Sequence, residues 1–442
     1  MRKGTAWAAQ IHRAVRPDWG LTPKFARHMY TSVALPRILY AVDVWAPPEY
    51  KQESKAKPTV NRRFTKKLVS IQRAGTLAIV GGLRTSPTDT LCAHADILPA
   101  HLELDKACHK AAVRMATLLH SHPVTKIFRK AAKLKVKHHR SPLHCLVSAF
   151  GTSHKAYETT IIAGCNSALM GKQPFRMEIA DSKDDSKARD EQAPEHFKIY
   201  SDGSMHDGSM GAAAVLTRNR KTQEVLHYHL VGKAGGKNNM FAIGVDNQAA
   251  IKLLSSKFNK PGHYLAVEAH QTAAKLHKTK GKRYLLSIRW MVGHTGIPGN
   301  EEADVEAKKA AEGATSNLDQ LPKILKKPLK RSKSAALQEE GTVRKERWRQ
   351  DWIELPRYAK FKHIDLSLPS HRFLKLTSNP KISRADASKI FQLRSGHVPL
   401  NAYLHWFKRK ESMQCPACGT QKETLQHFLL ECPAYVHERR KL

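Results

Sequence analysis

Acidic side chains are scarce in this chain: 38 Asp and Glu stand against 75 Lys and Arg, a formal net charge of +37. A compact state so unbalanced repels itself until something neutralises it, which points to a polyanionic partner, with nucleic acid the default reading. Long apolar runs are missing as well. None reaches the roughly 18–20 residues a helix needs to cross a bilayer, and no polybasic amphipathic helix stands out, so no membrane partner is expected. The N-terminus lacks the apolar h-region and cleavage site of a secretory signal, and the expected location is intracellular, in nucleus or cytoplasm. The seven cysteines are an odd number without such a signal, which argues against a disulfide framework. Cys92, Cys108, Cys145 and Cys165 are scattered through helical patterns and read as buried thiols, whereas the other three crowd into the C-terminal tail. No motif calls for a small-molecule cofactor.

What is present suggests several domains in 442 residues. Residues 1–175 read as helical: Phe25-Ala26-Arg27-His28-Met29-Tyr30 and Leu68 to Val80 carry apolar residues at three-to-four spacing, and Gly81-Gly82 stops the second run. Residues 176–195 lack apolar periodicity and read as a linker, with Asp184-Asp185 inside the solvated run Asp181 to Lys187. Residues 196–313 predict an α/β domain. Strands are expected at 197–202, 211–217, 224–231, 240–246 and 284–290, and helices near 247–256, 262–278 and 300–312. The second helix would bury Leu265, Ala269, Ala273 and Leu276, and Asn300 would cap the third. Residues 314–410 form a basic helical region. Lys323 to Trp352 within it is either a solvated helix face or a phosphate contact or nuclear localisation segment. Ile382 to Tyr403 should pack against a small module at 411–442.

Two sets of side chains carry chemistry. Asp202 ends the strand Ile199-Tyr200-Ser201 before a Gly-Ser turn, Asp246 ends the strand Phe241 to Val245, and Asp304 lies just inside the helix opened by Pro298-Gly299-Asn300. Each alone is as easily a cap or turn acid. Brought together from separate elements they repel one another, and they make sense with Mg²⁺ or Mn²⁺ between them, since hard cations take oxygen ligands. The tail holds Cys415, Cys418, His427 and Cys432 at C-x2-C-x8-H-x4-C spacing. Three thiolates and one imidazole make a closed tetrahedral Zn²⁺ site, structural because no position is left open.

In order and spacing, the stretch from Phe197 to Ala311 resembles a type 1 ribonuclease H domain. The strand–acid–Gly-Ser start, Ala212 to Val215, Asp246-Asn247-Gln248-Ala249-Ala250 and His294-Thr295-Gly296-Ile297-Pro298-Gly299-Asn300 carry the likeness. With Gly4 to Ala9, Ser141-Pro142-Leu143-His144 and the Cys/His tail, nearly the whole chain resembles the C-terminal part of a fungal LINE-type (non-LTR) retrotransposon reverse transcriptase polyprotein. The resemblance implies a five-stranded mixed sheet flanked by thumb- and connection-like helices, without a polymerase palm. It implies that Asp202 bridges two metal ions, that Asp246 and Asp304 complete the shell, and that His294 assists proton movement or product release. The implied partners are RNA–DNA hybrid and RNA, the latter helped by the zinc tail beside Lys408, Arg409 and Lys410.

One family carboxylate has no counterpart. The family supplies a Glu from a helix between its third and fourth strands, where this chain offers only Gly232 to Asn239, without an acid. In the family's sheet order those strands are parallel and three spacings apart, so the link must cover about 25 Å. Eight extended residues reach only about 26–29 Å. The expectation is a hybrid-cleaving ribonuclease impaired in activity, or alternatively a non-catalytic RNA- and DNA-binding retroelement remnant.

Overall fold

Short, nearly continuous apolar runs such as Met240–Val245 and Leu285–Trp290 pair into a sheet, as strands covered on both faces do. In the computed structural model, residues 6–7, 10–11, 13–48, 62–133, 140–160, 173–195, 197–206, 209–218, 221–226, 240–258, 260–280, 285–293, 296–314, 316–317 and 323–441 are described. They fall into two units. One comprises Met1–Met115, Lys126–Thr152 and Ala336–Leu442; the other comprises Ala116–Thr125 and Ser153–Ala335. No helix among the described residues is long and apolar enough to cross a membrane.

The second unit is α/β. Its strands are β1 (Arg176–Glu178), β2 (Phe197–His206), β3 (Ser209–Arg218), β4 (Lys221–Leu226), β5 (Met240–Val245) and β6 (Leu285–Trp290). They form one mixed sheet in the order β1-β6-β5-β2-β3-β4. The β2–β3 and β3–β4 pairs are antiparallel, while β2–β5, β5–β6 and β1–β6 are parallel. The five expected strands are present, and β1 adds a sixth at the edge. Because side chains alternate across a strand, Ile199, Ile243 and Ile288, paired in register, share one face. Ile251 of the helix Gln248–Ser255 and Ala273 of the helix His263–Lys280 join Ile243 and Ile288 in an apolar cluster. Tyr200 and Val215 belong to the other face, packed with Ile297 and Ala303 beside the helix Pro298–Ala311.

Three expectations need correction in this unit. Residues 176–195 are not a linker: they contain β1 and the helix Lys183–Gln192, which is held by polar contacts that apolar periodicity cannot register. Ser186 Oγ donates to Trp290 O at 2.9 Å, and Asp190 accepts from Lys198 Nζ at 2.8 Å and from Tyr200 Oη at 3.2 Å. In the helix His263–Lys280 the buried residues are Ala266, His270 and Ala273, and Ala269 is exposed. His270 turns inward because its Nε2 pairs with Leu254 O at 2.9 Å and its ring lies against Phe175. Asn300 is no cap; the helix starts at Pro298, whose fixed φ suits a first turn, and Asn300 is buried as its third residue. The third strand is described over Lys221–Leu226; the rest of its expected span to 231 and the link Gly232 to Asn239 lie outside the described residues, and in sequence 227–239 contain no acid.

The first unit is helical. The helix Arg62–Val80 ends at Gly81 in the left-handed region, φ +71°, as the Gly-Gly pair predicts. Its buried Leu68 and Ile79 join Tyr30, Leu91 and Leu104, together with Phe373 and Phe391 from far along the sequence. A second cluster sets Leu98 and Leu102 against Trp348 and Trp352 of the helix Lys333–Ile353. That helix is thus no purely solvated face: Arg344 is also buried on it and pairs with Asp105 at 2.7 Å. Ile382 to Tyr403 resolves into two helices, Arg384–Ser395 and Asn401–Trp406. Cys92 and Cys108 are buried thiols and Cys145 is half-buried, while Cys165 lies outside the described residues.

Candidate active site and metal centre

Tyr200 pairs with Gly244 across the parallel β2–β5 ladder. Asp202 and Asp246 each follow two positions later, so alternation sets both on the face that the helix Pro298–Ala311 covers. Close seating of that helix depends on small residues. A side chain at Gly211 would strike the backbone of Ala307 and Ala310, and one at Gly299 the ring of Tyr200. Ala303 and Ala307 are wholly buried between them. Asp304, next to Ala303, thereby reaches Asp202.

Asp202 is pushed up to about 6, first by burial and then by the charges of Asp246 and Asp304, with a side-chain hydrogen bond to Asp304 adding to the rise. A backbone hydrogen bond from Gly203 N at 2.6 Å works the other way. Trp290 Nε1 donates to Asp246 O at 2.9 Å, and the Gly293 backbone passes close to Asp246 Oδ2. His294, the next residue, lies outside the described set. Lys308 was missed in the sequence, although it stands one helical turn after Asp304. Its Nζ donates to Asp304 Oδ2 at 2.8 Å, and the carboxylates of Asp304 and Asp202 raise the Lys308 pKa.

An all-oxygen donor set suits Mg²⁺ or Mn²⁺ chemically. The side chains, however, are not closed into a chelate: among the described residues, only the C-terminal Cys/His cluster brings three or more ligand atoms within 4.8 Å of one another. Lys308 offsets part of the negative charge of Asp304.

That cluster joins Cys415, Cys418, His427 and Cys432, the four residues singled out by spacing. A tight hairpin makes the first half: Gln414 pairs with Lys422, Gly419 N donates to Cys415 O at 2.8 Å, and Gly419 takes φ +66°. A single turn, His427–Glu431, delivers His427 at its start and Cys432 just past its end. Cys415 Sγ lies 3.9 Å from Cys432 Sγ, and Cys418 Sγ lies 3.4 Å from His427 Nε2. Thr420's side chain and backbone pull the Cys418 thiol down to about 5, in thiolate range at neutral pH. The cluster can therefore hold a metal ion such as zinc. As expected, a neighbouring helix packs on the module: Asn401 N donates to Glu423 Oε2 at 2.6 Å and its Nδ2 to Gln414 O at 2.8 Å.

No protein-family model and no curated protein matches this sequence.

Proposed function

We propose that this chain is a retroelement-derived nucleic-acid-binding protein with a ribonuclease H-like domain whose hydrolytic centre is impaired. The observation that carries this reading is the meeting of Asp202 and Asp246 on one sheet face with Asp304 of the helix that covers it, where burial and the charges of Asp246 and Asp304 raise the Asp202 carboxyl. The sheet order also supports it, with the acid-bearing strands adjacent and parallel at the centre. Mg²⁺ or Mn²⁺, if bound, would be held by these three carboxylates, and would activate water and stabilise the leaving oxygen of a phosphodiester. The substrate class is RNA in an RNA–DNA hybrid, and the excess of 75 basic over 38 acidic residues supports a polyanionic partner. Zinc in the Cys/His cluster would fix the tail.

Two observations favour the non-catalytic alternative, a remnant that binds RNA and DNA without cutting. Lys308 neutralises Asp304, and no acid occurs between Leu226 and Met240 to serve as a fourth ligand. A labelled hybrid titrated with Mg²⁺ or Mn²⁺ separates the two. Slow metal-dependent cleavage that Asp202→Asn abolishes and Lys308→Ala accelerates, by freeing Asp304, identifies the impaired enzyme. Retention of hybrid on a filter with no product from any of the three proteins identifies the remnant. Failure to retain hybrid, duplex RNA or single strands at low salt rejects both.

A further inference from the structure

Away from the acids, several cations of the helical unit are tied into one ring of contacts. Arg73, on the helix Arg62–Val80, donates through Nη1 to Thr88 Oγ1 at 2.8 Å and through Nη2 to the carbonyl of Arg84. Beside Thr88, Asp89 accepts from Arg357 Nη1 at 2.7 Å. On the other side of the ring, Thr85 Oγ1 bonds Tyr403 Oη, which in turn bonds His397 Nδ1 at 2.7 Å. Lys360, one turn after Arg357, donates to Ser395 O at 2.9 Å and lays its Nζ against Gly396.

Arg73 and His397 are thus gathered from separate elements beside Arg357 and Lys360, which lie one turn apart at the short helix Tyr358–Phe361, and among the described residues Asp89 is the one carboxylate bonded to these cations. The remaining anchors are neutral: two carbonyls and hydroxyl groups orient the cations without cancelling them. Burial first, then the charges of Lys360, Arg357 and Arg73, hold the His397 imidazole below its ordinary range. Cations held in fixed positions repel unless an anion sits among them, and guanidinium and ammonium groups around hydroxyl donors are the chemistry that recognises phosphate.

We propose that Arg73, Arg357, Lys360 and His397 form a phosphate-binding site, and that its occupant is a backbone phosphate of bound nucleic acid. The choice of occupant rests on the nucleic-acid reading above; the site itself does not. The full chain is titrated with a fluorescein-labelled single-stranded oligonucleotide by anisotropy over a series of salt concentrations. Lys360→Gln and Arg357→Gln should each lower the slope of log affinity against log salt by about 0.7, the loss of one phosphate contact. Lys389→Gln, at a cation 71% exposed on another helix face, should leave it unchanged. A second arm measures the melting temperature with inorganic phosphate, which should rise for the parent protein and not for Lys360→Gln. Two differently placed variants, checked by circular dichroism, guard against misfolding of either. Unchanged slopes in both folded variants would overturn the backbone phosphate as occupant while leaving nucleic-acid binding intact. If the parent binds no oligonucleotide but phosphate stabilises it alone, the nucleic-acid reading falls and the site takes a free phosphate. If phosphate stabilises parent and Lys360→Gln alike, or neither, the site is refuted.

Discussion

His94 is fully removed from solvent, with Nδ1 on Thr90 O at 2.9 Å and its ring edge-on to Phe361, Phe373 and Phe391. Its Nε2 has no partner among the described residues, and burial lowers its pKa from 6.5 to about 4, so the imidazole is neutral near pH 7. The unfolded chain therefore binds this proton where the folded chain does not. Stability from this residue is intact above pH 6.5, declines as pH falls toward 4, and levels off below. The full decline is on the order of 3 kcal/mol. Urea midpoints should fall between pH 7 and pH 4.5, and less steeply in His94→Leu. Arg384 is a buried charge held, among the described residues, without a carboxylate: its guanidinium donates to Arg16 O at 2.9 Å, Ile79 O at 2.7 Å and Ala78 O at 2.6 Å. Burial lowers it to about 10. It satisfies carbonyls at the end of the helix Arg62–Val80, and Arg384→Met should leave them bare and cost about 3 kcal/mol in denaturant unfolding.

At the scale of elements, polar anchoring decides what the sequence alone reveals. The strands around Asp202 and Asp246 were legible because alternation and terminal acids repeat a simple pattern. The segment 176–195 was not, because β1 and the helix after it are held by ions rather than by an apolar stripe. Arg289 on β6 donates to Glu178 on β1 at 2.8 Å and forks onto Glu195 at 2.8 and 2.6 Å. Glu195 is almost entirely buried, and its pKa is lowered by the Arg289 hydrogen bond against the opposing effect of burial. Arg289→Met should strand that carboxylate and destabilise the sheet unit by about 3–5 kcal/mol. Limited proteolysis should then cut near β1 well before the helix Pro298–Ala311 is attacked. His270 teaches the same lesson: a polar residue in the inward stripe moved the expected face by one position. The candidate metal acids were legible as a set, but Lys308, one turn from Asp304, was passed over as surface charge.

For the whole molecule, the Cys/His cluster is the feature the sequence specified most fully, since ligand type and spacing leave little freedom in how such a hairpin closes. Zinc should bind at one equivalent. Chelation should expose the tail beyond Asn401 to protease while the helices around Tyr30, Ile79 and Phe391 keep their circular dichroism, because Phe373 and Phe391 enter that core from outside the metal module. An unchanged digestion pattern after complete metal removal would count against a structural ion.

The helical unit draws its residues from both sides of the sheet unit in sequence, and this has a consequence for biosynthesis. Ile79 and Leu91 leave the ribosome early, yet Phe373 and Phe391, which seal them from water, emerge only after some 280 further residues at roughly 5–20 per second. For many seconds the nascent N-terminal helices must wait with their apolar stripes bare, while the intervening sheet can finish first. A chain stopped after Ala335 should accordingly be captured by holdase chaperones or precipitate, and adding residues 336–442 as a separate polypeptide during refolding should rescue it.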